Sequence, residues 1–79
     1  LSMKFKEGDK VLVKSNRYSY IVKGEITHIG LMPSKDEAYY IIVFDRPDPV
    51  TKARRDYFWE YNLNHMPNNK ENIERLIDE

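Results

Sequence analysis

What most limits the folds open to this chain is a pattern repeated along residues 10 to 61. Short runs of β-branched and aromatic residues are each closed by residues that turn the backbone. In "AYYIIVFD" side chains alternate between faces with period two. Tyr39, Ile41 and Val43 therefore share one face, and Tyr40, Ile42 and Phe44 share the other. Both sets are apolar, so this run is expected to be central in the sheet or covered on both faces. "DKVLVKS" alternates Val11 and Val13 against Lys10 and Lys14, with Leu12 as the exception, and the Gly8-Asp9 pair reads as the turn before it.

"YIVKGEITHI" favours strand through Ile21, Val22, Ile26, Thr27 and Ile29, and Gly24 inside it signals a bulge or a close backbone approach. "GLMPSKDE" holds the turn formers Gly30, Pro33, Ser34 and Asp36. In "RPDPVTK", Pro47 and Pro49 cannot donate to a strand ladder. Strand geometry over 57 to 61 then puts Tyr57, Trp59 and Tyr61 on one face, with Phe58 on the other beside Asp56 and Glu60. The tail changes period. Ile73, Leu76 and Ile77 have helical spacing, and Asn68 with Glu71 resembles a capping box, so a short C-terminal α-helix is expected over 68–78. No repeat or linker divides the chain. It reads as one domain over 1–79, mainly β, with a small four- to five-stranded barrel over 3–62 followed by the helix. Leu1 and Ser2 read as a remnant ahead of a start at Met3.

A chain of 79 residues buries little more than ~60% of the surface it exposes unfolded, and with no cysteine it has no disulfide or thiolate zinc site to help it. Stability must come from apolar packing, in which the ten aromatic residues are the main resource. Nine of them lie between Tyr18 and Tyr61, more than so small a core accommodates, so some are expected at the surface. No apolar run reaches the roughly 18 to 20 residues of a membrane span, and the N-terminus lacks the pattern of a secretory signal. A soluble, cytoplasmic protein without membrane contact is expected. The 13 basic and 13 acidic side chains cancel, which argues against a strong polyanion ligand. The balance is uneven: residues 1 to 30 carry Lys4, Lys6, Lys10, Lys14, Arg17 and Lys23 against Glu7, Asp9 and Glu25.

The runs "FKEGDKVLV", "GEITHI" and "YYIIVFD", covering roughly residues 5 to 45, resemble the first three strands of Tudor-like and KOW-like members of the Src-homology-3-like small barrels. The resemblance implies that fold. Tudor-type readers of methylated side chains enclose the ligand with aromatics from the second and third strands; the matching positions here are about Val22, Phe44 and Pro47, of which Phe44 alone is aromatic. A KOW-type likeness would imply contact with RNA or with the transcription or translation machinery, and Gly24 is the distinctive residue that matches. In such barrels the first loop, which here carries Arg17, Tyr18 and Tyr20, sits beside the binding groove.

Two explanations fit the Tyr57, Trp59, Tyr61 row: core packing, or an exposed platform for a peptide or for stacked bases. Arg54 and Arg55 precede the row and suit bidentate contacts with carboxylates or phosphates, unless they only keep a loop solvated. His28 and His65 have no ligand partners at metal-binding spacing, so neither metal nor cofactor is expected. Ser15, Ser19 and Ser34 sit in turns with no nucleophile motif around them, so an enzyme is not expected. Two functions remain. The first is a protein-interaction module or small regulatory protein that docks on a larger partner through Arg17, Tyr18, Tyr20, Arg54, Arg55, Tyr57, Trp59 and Tyr61. The second is an RNA- or DNA-binding module that combines a basic strand face with stacking.

Overall fold

Five antiparallel strands form one sheet in the computed structural model, which describes residues 4–67. They are β1 (Lys10–Val13), β2 (Val22–Met32), β3 (Glu37–Phe44), β4 (Arg55–Trp59) and β5 (Leu63–His65), in the order β4-β3-β2-β1-β5. The helix expected over 68–78 and the remnant Leu1–Ser2 lie outside the described residues. The first four strands run as a meander. A 3-10 turn at Glu60–Asn62 then carries the chain from β4 to β5, which pairs with β1.

One face of the sheet builds the core. Val11 and Val13 from β1, Val22 and Ile26 from β2, Tyr40, Ile42 and Phe44 from β3, Phe58 from β4 and Leu63 from β5 are all buried, together with Phe5. Cross-strand register brings them together: Val13 lies opposite both Val22 and Leu63, Ile26 opposite Ile42, and Tyr40 opposite Phe58. Each large apolar side chain buried in this way contributes about 1.5–3 kcal/mol. The Tyr40 ring meets Phe5 edge-on at 5.8 Å, and its hydroxyl is buried without a hydrogen-bond partner among the described residues. Burial, and secondarily Glu60, raises its pKa.

Gly24 is a point of close approach. A Cβ there would strike the backbone carbonyl of Val43 and the side chain of Ile42, so β3 can lie against β2 only because the residue has no side chain. The bulge lies further on. Register shifts between Ile26 and His28, leaving Thr27 as the extra residue. The extra residue changes which alternate side chains face inward, so Ile26 and then Ile29 pack towards the core.

Several expectations need correction. The strand read over 20–29 begins at Val22 and runs to Met32, because the β2–β3 hairpin keeps its pairing through Met32 and Glu37. The strand read over 57–61 is Arg55–Trp59; Tyr61 belongs to the 3-10 turn. The run over 39–44 is central, with β2 and β4 on either side, but it is not covered on both faces, since Val43 is 39% exposed and Tyr39 and Ile41 are half-buried, whereas Ile42 is wholly buried. The sheet is also open, with β4 and β5 as its edges. Side chains occupy part of the β4 edge: Arg17 donates to the Tyr57 carbonyl, Asp56 accepts from the Tyr57 N–H, and Asn62 accepts from the Trp59 N–H. Those backbone groups are thus satisfied without another strand.

Candidate functional site

The site begins in the eight-residue connection between β1 and β2, numbers 14–21. Ser15 starts it with a turn: its hydroxyl accepts the Arg17 N–H at 3.2 Å and its carbonyl accepts the Tyr18 N–H at 3.2 Å. Arg17 is thereby held against β4. Its guanidinium donates to Asp56 Oδ2 at 2.9 Å and lies 4.7 and 4.8 Å from the ring centres of Tyr57 and Phe58. The Tyr18 hydroxyl donates to the same carboxylate oxygen at 2.7 Å, while its ring packs on Phe44 and Phe58 at 5.7 and 5.8 Å. Desolvation, reinforced by the hydrogen bond to Asp56, pushes the Tyr18 phenol up to about 12.

A second tether comes from the β3–β4 loop. Asp48, 5% exposed, accepts the backbone N–H groups of Val50 and Thr51 at 3.1 and 2.7 Å, the Thr51 hydroxyl at 3.0 Å and the Tyr20 hydroxyl. The Thr51 amide chiefly, and then the Tyr20 hydroxyl, lower its carboxyl from 3.8 to about 2. Lys52, with φ of 66°, completes this turn in the left-handed region. Asn62 supplies a third tether. Its side-chain carbonyl accepts the Trp59 N–H at 3.1 Å and its amide donates to the Lys14 carbonyl at 3.0 Å, while its backbone carbonyl accepts the Lys14 N–H at 2.8 Å. One buried asparagine thus ties the 3-10 turn to the start of the first loop.

Between these walls runs an open groove of about 1110 Å³. Tyr18, Tyr20, Tyr57, Trp59 and Tyr61 line it, with Tyr61 79% and Tyr57 45% exposed. Trp59 is half-buried, meets Tyr57 edge-on at 5.9 Å and has the Lys35 ammonium 5.3 Å from its ring centre. Among the described residues Lys14, Arg17 and Lys23 are the charged members of the lining, and no carboxylate joins them.

Six of the eight residues picked out from the sequence therefore meet in one groove. Arg54 and Arg55 do not: both are exposed on and just before β4 and neither lines it. Phe58 lies on the opposite face from the Tyr57, Trp59, Tyr61 row, as its alternation implies, and is wholly buried, while Tyr57 and Trp59 face outward. At the positions matching a Tudor-type aromatic cage, Val22 and Phe44 are buried in the core. Asp48, Asp56 and Asn62, which position the groove, were not singled out. An Asp with Thr three residues on is a readable turn signal for Asp48; nothing near Asn62 marks it. Among the described residues no group of three His, Cys, Asp or Glu side chains could hold a metal ion, and no helix is long and apolar enough to cross a membrane. Searches of family models, curated proteins and solved structures find no match to the chain.

Proposed function

We propose that the chain is a non-enzymatic protein-interaction module, a small regulator that docks on a larger partner through this groove. The observation that carries the reading is the convergence of Tyr20, Tyr57, Trp59 and Tyr61 on one open channel, while Phe5, Tyr40, Phe44 and Phe58 fill the core without them. Aromatic groups held outside a completed core, on walls fixed by side-chain hydrogen bonds, give contact area at little cost in ordering. An Src-homology-3-like architecture fits the same reading. In its favour are the four-strand meander, the return of β5 beside β1, and a groove lying next to the first loop.

Nucleic-acid binding is the rival, because aromatics and lysines also suit single strands. Two of the bases that would form its positive face are already neutralised, however: Lys10 by Glu25 at 3.4 Å and Asp45 at 3.9 Å, and Arg17 by Asp56. Capture from nuclease-treated lysate separates the two, using the full chain and Tyr61→Ala side by side. The module reading expects proteins that wild type retains and Tyr61→Ala loses. Loss of all capture on nuclease treatment would overturn it in favour of nucleic acid.

A further inference from the structure

Where the chain places carboxylates near its bases, the two pair, as Lys10 does with Glu25 and Asp45, and Arg17 with Asp56. The groove departs from this. Lys14 and Lys23 both line it, both are exposed, and neither forms an ion pair among the described residues. Register sets them together: Leu12 lies opposite Lys23, and Lys14, two residues on from Leu12, shares that face. They share the lining of one channel with Trp59 and Tyr61. The chain as a whole is neutral, with 13 bases and 13 acids, so a groove whose described lining has three cations and no carboxylate reflects placement rather than composition.

We infer that the groove's ligand is an extended acidic peptide segment, its carboxylates set against Lys14 and Lys23 and its apolar or aromatic side chains against Tyr57, Trp59 and Tyr61, an assignment that rests on reading the groove as a protein-docking site. Three observations favour a peptide over other anions. A channel of about 1110 Å³ exceeds what a small anion needs and lies above the usual size of small-molecule pockets. Arg17, the base best suited to bidentate phosphate contacts, is occupied by Asp56 and the Tyr57 carbonyl. Strand addition at the β4 edge beside the channel is disfavoured because Arg17 and Asn62 hold its Tyr57 carbonyl and Trp59 N–H, so an extended chain seated here would meet the side chains of the channel. Two strongly hydrated ammonium groups beside aromatic rings give such a ligand charge selection and apolar anchoring together.

The test selects peptides from a random displayed library on three full-length proteins: wild type, the Lys14→Glu plus Lys23→Glu double variant, and Tyr61→Ala. Both variants carry changes at exposed side chains only, and equal melting curves check that all three proteins fold alike. Peptides chosen by wild type are expected to be rich in Asp and Glu, and those chosen by the double variant in Lys and Arg. A synthetic peptide from the wild-type selection should bind the double variant at least about tenfold more weakly. Wild-type peptides that are lost with Tyr61→Ala but show no acidic enrichment would overturn the acidic assignment and leave the docking site standing. If no peptide is selected, or binding is indifferent to Tyr61, the docking site itself falls.

Discussion

At the scale of single residues, Asp48 shows how one buried carboxylate shapes the site. It closes the β3–β4 turn through Val50 and Thr51 and also receives the Tyr20 hydroxyl, so groove wall and turn share one anchor. Its carboxyl sits at about 2 against 3.8 for the free side chain. A depressed folded-state value means that the ionised form is favoured by folding. That contribution is fully present above about 3.8 and disappears as pH falls through about 2. Asp48→Asn should therefore lower the melting temperature by several degrees at neutral pH, and the gap to wild type should narrow as acid is added across that window. Melting followed by circular dichroism between pH 2 and 7 measures it; a gap that stays constant to pH 2 would show that the carboxylate charge is not what holds the turn. Tyr20 should also become more mobile in the variant, since it loses a charged acceptor.

At the scale of elements, the two faces of β3 give the sharpest contrast. Ile42 is wholly buried between Ile26 and β4, whereas Val43 is 39% exposed on the outer face. Ile42→Asp should cost several kcal/mol, on the order of 4 or more, and prevent folding, because an unpaired carboxylate would enter the core. Val43→Asp should stay within about 1 kcal/mol of wild type, as urea unfolding of both variants would show. Sequence alone gave no basis for this difference. A run that is apolar at both parities reads as covered on both sides, and which face is covered depends on elements far along the chain. Strands β1, β2 and β3 were legible because their β-branched and aromatic residues fill a pleated surface, and the placing of Phe58 on the face opposite Tyr57 and Trp59 was legible from alternation. The end of β4 was not: Trp59, Glu60 and Tyr61 continue its alternation, and only the long-range bonds of Asn62 to Lys14 explain why the chain turns there. β5 was invisible for a similar reason, since "LNH" offers one apolar residue and is a strand only because β1 has a free edge. The groove followed the same rule. Its aromatics could be named from local pattern, but Arg54 and Arg55 were grouped with them by nearness in sequence, and Asp56 and Asn62 act across 38 and 48 residues respectively.

At the scale of the whole molecule, neutrality hides an arrangement that sets how binding must respond to salt. Among the described residues the groove offers three cations, Lys14, Arg17 and Lys23, and Arg17 is already paired. Each phosphate of a single strand that a protein neutralises releases counterions, which steepens the fall of log affinity against log salt by about 0.7 per contact. A single-stranded oligonucleotide confined to the groove could therefore give a slope no steeper than about −2, from roughly three contacts. An acidic peptide carries no condensed counterion layer, so its affinity should fall more gently still, through Debye screening of two exposed lysines. Fluorescence polarisation of a labelled oligothymidylate and of a selected peptide, each titrated from about 50 to 300 mM salt around the usual ~8–10 Å Debye length, compares them directly. The peptide is expected to keep most of its affinity at the upper end, because its apolar contacts with Trp59 and Tyr61 do not depend on ionic strength. An oligonucleotide slope of about −4 or steeper would require bases beyond the groove, such as Arg55 at the start of β4 and Lys52 and Arg54 just before it. The basic face and the aromatic channel would then have to act together as a nucleic-acid surface, against the peptide reading.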